Sequence, residues 1–132
     1  MVRISITLPA FASAEPPVEL DAHYVHQDGQ LGATPLRSET LRPGQERCLM
    51  LHSRLAFVVP RGSRSTLPLD ITHADPEMPF ALDLQGLRVP ESGDPVPVFH
   101  RCIRPGYSLS LAIDTADVLV IRETPWSHAN AR

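Results

Sequence analysis

The sequence predicts an all-β fold: an internally duplicated β-sandwich or barrel of about 8–10 short strands with pseudo-twofold symmetry. Three observations lead there. Apolar residues alternate with polar ones in short runs, and no stretch sustains a helical period. Fourteen prolines and seven glycines divide the 132 residues into those runs. The tetrapeptide Leu41-Arg42-Pro43-Gly44 also returns, sixty-two positions later, as Ile103-Arg104-Pro105-Gly106.

The first run places Val2, Ile4, Ile6 and Leu8 on one face and Arg3, Ser5 and Thr7 on the other, which describes a half-buried strand closed by Pro9. The second, Val18 to His26, lies between Pro16-Pro17 and the turn signal Asp28-Gly29. A third leads from Pro35 to Leu41 into a turn in which Pro43 fixes φ and Gly44 supplies the left-handed position. Arg47 to His52 and Leu55 to Val59 complete the first half. The second half repeats the order with Leu67 to Thr72, Phe80 to Arg88, Val96 to Ile103, Tyr107 to Ile113 and Val118 to Arg122.

At a constant offset of sixty-two, Pro17 matches Pro79, Leu20 matches Leu82, Asp21 matches Asp83, Pro35 matches Pro97, Leu49 matches Leu111 and Val58 matches Val120. The expected organisation is one domain over 1–132, built from pseudo-repeats at 2–62 and 64–124 with a tail at 125–132. Five short strands cannot bury an apolar face alone, so the halves are expected to pack together with their first strands paired or exchanged. The repeat also assigns faces. Leu49 and Leu51 correspond to Leu111 and Ile113 and should point inward, which turns Cys48, Met50 and His52 outward.

Composition narrows the function classes. A net charge of −3 without a clustered basic face disfavours nucleic acid as a partner. All twelve basic residues are arginine, so lysine Schiff-base chemistry is excluded. No phosphate-binding loop, dinucleotide fingerprint or nucleophile elbow occurs, and no apolar run is long enough for a membrane helix. Met1 to Ala14 imitates a secretory leader, but Ser5, Thr7 and Pro9 break its apolar part, and the expectation is a cytoplasmic protein. Two cysteines make no disulfide framework, and cysteine's usual burial suggests buried free thiols.

Where the halves differ, chemistry has room. The run Asp70-Ile71-Thr72-His73-Ala74-Asp75 stands where the gapless alignment puts Leu8 to Ser13, so Asp70, His73 and Asp75 are candidate ligands for a divalent cation, or a candidate base and its orienter. No cofactor is otherwise expected. Cys48, Met50 and His52 share a strand face, as do His100 and Cys102. Such sulfur and imidazole groups suit a soft metal if the strands adjoin, or an apolar patch that a partner covers. His23 and His26 fall on opposite faces of a strand. Arg54 lies close to the junction of the halves, and Trp126 in the tail is a candidate docking aromatic.

The segments from Leu41 through Val59 and from Ile103 through Arg122 resemble the closing hairpin of the small oligonucleotide-fold-like modules appended to transporter ATPases and found in tandem in molybdate-binding proteins. The resemblance implies a small-ligand or oxyanion-binding β-barrel, with Arg42, Arg104 and Arg54 as candidate ligand contacts. In those modules a lysine and small or serine residues follow the first strand of the hairpin. Here the positions read His52-Ser53-Arg54 and Asp114-Thr115-Ala116, and Asp114 would repel an anion. The reading that best fits all these residues is a non-enzymatic binding or assembly module, working in a homo-oligomer or a larger complex, with Cys48, Met50, His52 and Trp126 as interface candidates. Oxyanion binding and metal-dependent catalysis at His73 and Asp75 are the alternatives.

Overall fold

A computed structural model of the chain describes residues 2–9, 18–25, 32, 37–51, 55–58, 66–88, 92–114 and 117–126. Ten strands follow in order: β1 (Val2–Thr7), β2 (Val18–Tyr24), β3 (Arg37–Leu41), β4 (Glu46–Leu51), β5 (Leu55–Val58), β6 (Thr66–His73), β7 (Phe80–Arg88), β8 (Val96–Ile103), β9 (Ser108–Asp114) and β10 (Asp117–Pro125). Every run expected from alternation and punctuation is a strand, and no described residue is helical. Among the described residues, therefore, no helix is long and apolar enough to cross a membrane.

The strands form two antiparallel sheets, one in the order β4-β1-β6-β9 and one in the order β3-β2-β5-β10-β7-β8. Neither closes on itself, so the sandwich forms and the barrel does not. If β1–β5 exchange numbers with β6–β10, each order reads the same from its other end. The two first strands are paired, β1 against β6, as the need to cover their edges suggested.

Alternation decides which residues meet between the sheets. Val2, Ile4, Ile6, Leu49, Leu51, Leu67, Leu69, Ile71 and Ile113 from the four-stranded sheet share one buried cluster with Leu20, Leu41, Phe57, Leu82, Leu84, Ile103, Leu119 and Ile121 from the other. A smaller cluster of Val25, Ala56, Val118 and Val120 lies apart, with Leu87 packed against it. Burial of this apolar surface is the main source of stability for the fold.

The two Pro-Gly turns have the geometry the sequence implied. Gln45 N–H donates to the Arg42 carbonyl at 3.0 Å with Gly44 at φ 77°, and Tyr107 N–H donates to the Arg104 carbonyl at 3.0 Å with Gly106 at φ 84°. They do not open hairpins, however. The strands on either side of each turn belong to different sheets, and so do β4 and β5, and β9 and β10. Each turn carries the chain over the side of the sandwich, so that Leu41 and Leu49, or Ile103 and Ile113, enter the core from opposite sheets. Gly44 N–H anchors its turn on the Leu8 carbonyl at 2.7 Å, and Gly106 N–H anchors its turn on the His73 carbonyl at 3.1 Å.

The ladders also revise the gapless alignment. Val2 faces Leu51 while Leu67 faces Ile113, so the residues of β4 and β9 stand sixty-two apart but those of β1 and β6 sixty-five. Leu20 faces Glu39 while Leu84 faces Arg101, which gives sixty-two for β3 and β8 but sixty-four for β2 and β7. One residue of the difference falls between the first and second strands of each set and two between the second and third. By register, Leu8 beside β1 occupies the position that His73, not Asp70, occupies on β6, and each accepts from the glycine of a Pro-Gly turn.

Gly86 faces Phe99 across β7 and β8, where the register shifts, and a Cβ there would lie 2.3 Å from the Phe99 ring. Gly44 has open space around it but a left-handed φ. Gly86→Ala should cost about 1–3 kcal/mol by forcing Phe99 from its seat, and Gly44→Ala about 1–2 kcal/mol from backbone strain alone. Urea denaturation measures both, and an unchanged midpoint for Gly86→Ala would contradict the packing.

Candidate functional site

Six strands face four, so at each side of the sandwich the inward-facing side chains of an outer strand lack a full strand opposite them. At the β3–β4 side charged groups close that space. Glu39 and Arg37 face inward from β3, opposite Leu20 and Ala22, and Arg47 faces inward from β4. Arg37 Nη2 lies 2.5 Å and Arg47 Nε 3.7 Å from the Glu39 carboxylate, and Arg47 Nε donates to the Thr40 carbonyl at 3.2 Å. The network ties one sheet to the other.

The β8–β9 side has the same positions and different chemistry. Phe99 stands where Arg37 does, Arg101 where Glu39 does, and Leu109 where Arg47 does. Phe99, Leu109 and Leu111 are only half-buried against the core. Arg101 is exposed and donates Nη1 to the His100 carbonyl at 2.9 Å. Nearby, Val96 is 54%, Val98 41% and Tyr107 61% exposed, the highest values among large apolar residues apart from Tyr24 and Met50. Two shallow hollows border β9. One of about 180 Å³ is lined by Cys102, Ile103, Arg104, Tyr107, Ser108 and Leu109. Another, of about 260 Å³, includes Asp70, Ser110 and Leu111.

Asp70, His73 and Asp75 do not converge. Asp70 points to the outer face and accepts from Ser110 Oγ at 2.6 Å. His73 is fully buried; its Nε2–H donates to the Phe80 carbonyl at 2.8 Å and its Nδ1 accepts from Asp75 N–H at 3.2 Å. These partners fix the neutral Nε2–H tautomer and occupy the lone pair that a metal or substrate proton would need. Asp75 accepts from the Arg3 N–H at 2.6 Å and pairs with its guanidinium at 3.3 Å. Among the described residues no three His, Cys, Asp or Glu side chains are grouped to hold a metal ion.

Leu49, Leu51 and Ile113 are buried and Cys48 and Met50 exposed, as the repeat implied, while Leu111 is only half-buried. His52 and Arg54 lie outside the described residues, as does His26. Both thiols are free and exposed rather than buried, because each sits on the outer face of an edge strand. Cys48 donates to Glu46 at 3.3 Å, and that bond pushes its thiol up from its ordinary range. Partial desolvation of the sulfur, then the nearby Asp83 charge, does the same for Cys102 against a smaller opposing pull from Arg104. Neither favours the thiolate needed for soft-metal binding. Since β4 and β8 edge different sheets on opposite sides, the pair on β8 does not join the group on β4.

Trp126 is half-buried, with its backbone N–H donating to the Pro79 carbonyl at 2.9 Å and the Arg104 guanidinium 5.6 Å from its ring centroid. Arg42 is exposed on the other turn. The turns anchor on Leu8 and His73, at opposite ends of the antiparallel β1–β6 pair, so Arg42 and Arg104 do not address one ligand.

Sequence reading missed the network on β7. The Asp83 carboxylate accepts from His100 Nε2 and, at 2.8 Å, from Arg122 Nε. Partial burial pushes its carboxyl up, but the hydrogen bonds and charges of His100 and Arg122 outweigh that and hold it below the usual range. The signal was present in Asp83, His100 and Arg122, each on the outward parity of its strand, but the strand order needed to join them was not. Arg88 similarly pairs with Asp117 at 3.0 Å and with Asp114 at 3.7 Å.

Comparison of the chain with protein-family models, curated proteins and solved structures finds no match.

Two variants test these assignments. His73→Leu leaves the Phe80 carbonyl and Asp75 N–H without their partner and should cost about 1–3 kcal/mol in urea denaturation; a loss of a few tenths would contradict a structural histidine. A depressed carboxylate stabilises the fold above its unfolded value of about 3.9, and the contribution disappears as pH falls through the folded value. Asp83→Asn should therefore lower the melting temperature at neutral pH and cease to do so in strong acid. A deficit that persists there would show that the charge is not the cause.

Proposed function

We propose that the chain is a non-enzymatic binding or assembly module, whose duplicated scaffold presents one side of the sandwich to a protein partner or to another copy. The observation that carries this reading is the difference between the two sides. At matching positions the β3–β4 side has Arg37, Glu39 and Arg47 bound to one another, while the β8–β9 side has Phe99, Arg101 and Leu109 with apolar surface open around them. Half-buried apolar side chains beside exposed ones make up the composition of an interface core awaiting its other half. The palindromic strand orders and the paired turns support a duplication with pseudo-twofold symmetry, in which the second copy changed at this side.

The edge strands point the same way. Inward charges protect β3 and β4, and Pro97, a register shift and Arg101 interrupt β8. β9, Ser-Leu-Ser-Leu-Ala-Ile-Asp, carries a charge only at its last residue. Cys48 and Met50 form a smaller exposed patch on the other edge of that sheet.

Native mass spectrometry of protein taken from its source should report an oligomer or a copurifying protein. In the recovered complex, Leu109→Lys should weaken association at least about tenfold, the effect of a charge in an apolar interface core, and Met50→Lys should not. A monodisperse monomer without a partner would overturn the reading.

A further inference from the structure

Resting on that reading of the β8–β9 side, we propose that its occupant is an extended segment of a partner protein, added to β9 as a fifth strand beneath β8, with a carboxylate facing Arg101. The four-stranded sheet ends at β9, and an edge strand presents alternate backbone N–H and C=O groups to whatever lies beside it. An added strand would run under the inward face of β8. There its apolar residues, at alternate positions, would meet Phe99, Leu109 and Leu111, which the core covers only in part.

The charge of the occupant follows from Arg101. It faces inward from β8, opposite Leu84, and among the described residues no carboxylate pairs with it. On the other side of the sandwich the same position is Glu39, which receives two arginines. The built example therefore shows that an inward charge at this position is met by its opposite across the space between the sheets, and Arg101 calls for an acid. A second copy does not supply one through its own β9, whose inward residues Leu109, Leu111 and Ile113 are apolar. The complementary segment is thus an apolar-alternating strand with one aspartate or glutamate on its inward face.

The test is selection of short random displayed peptides on the full chain, with synthetic copies of the enriched peptides measured afterwards. Enriched peptides should alternate apolar residues and hold Asp or Glu at one fixed position. Arg101→Glu should weaken them about tenfold or more, the scale of reversing one interfacial charge, and Met50→Lys should not; thermal melting verifies that each variant is folded. Selection on the Arg101→Glu chain should yield Lys or Arg at that position. Failure to enrich, enrichment without an acid, or binding indifferent to Arg101→Glu would each overturn the proposal. Peptides lost with Met50→Lys instead would overturn strand addition yet leave the binding-module reading standing. A failed selection together with a partnerless monomer would remove both.

Discussion

The constraint on which the rest depends is the unequal width of two sheets that must share one core. Four strands cannot cover six, so a strand on each side projects beyond its opposite sheet, and its inward side chains need something to meet. One solution is internal. Glu39 pairs with Arg37 of its own strand and with Arg47 from β4, and the Arg47 guanidinium, bonded to the Thr40 carbonyl, spans the space where another strand would otherwise lie. Partly buried ion pairs of this kind contribute modestly to stability, but they specify which edge is closed and discourage strand addition there.

The other solution is deferred. Phe99 settles against Gly86 only because the glycine leaves room for its ring, and Leu109 and Leu111 remain at the margin of the core. Between these residues Arg101 keeps a charge that nothing among the described residues neutralises. Three of the four sheet edges carry charges, a proline or a register shift, and β9 carries a charge only at its last residue.

Much of this was legible in the sequence and some was not. All ten strands, the positive φ of Gly44 and Gly106 and the outward placing of Cys48 follow from short-range periodicity and turn chemistry, which are local properties. The pairing of strands is not local. Pro43-Gly44 has the signature of a turn but does not say whether its flanking strands pair with each other, and here they part into different sheets. The spacing of matching strand positions drifts from 65 to 62 over two connections, where insertions cost little, and identity matching at a constant offset therefore set Asp70 rather than His73 against Leu8. His73 consequently looked like gained chemistry. In the fold its ring is buried at the register position that Leu8 holds beside β1, with both nitrogens turned to backbone groups. The open side itself was beyond reach of the sequence, since Phe99, Arg101 and Leu109 become neighbours in meaning only when the sheets are known.

Amide chemical-shift mapping of the full chain saturated with a tightly selected peptide tests the central claim most directly. The account predicts that the large perturbations fall on Ser108 to Asp114, Phe99 and Arg101, with contacts from the peptide backbone to β9. Perturbations centred on Cys48 and Met50, or on Trp126, would contradict it.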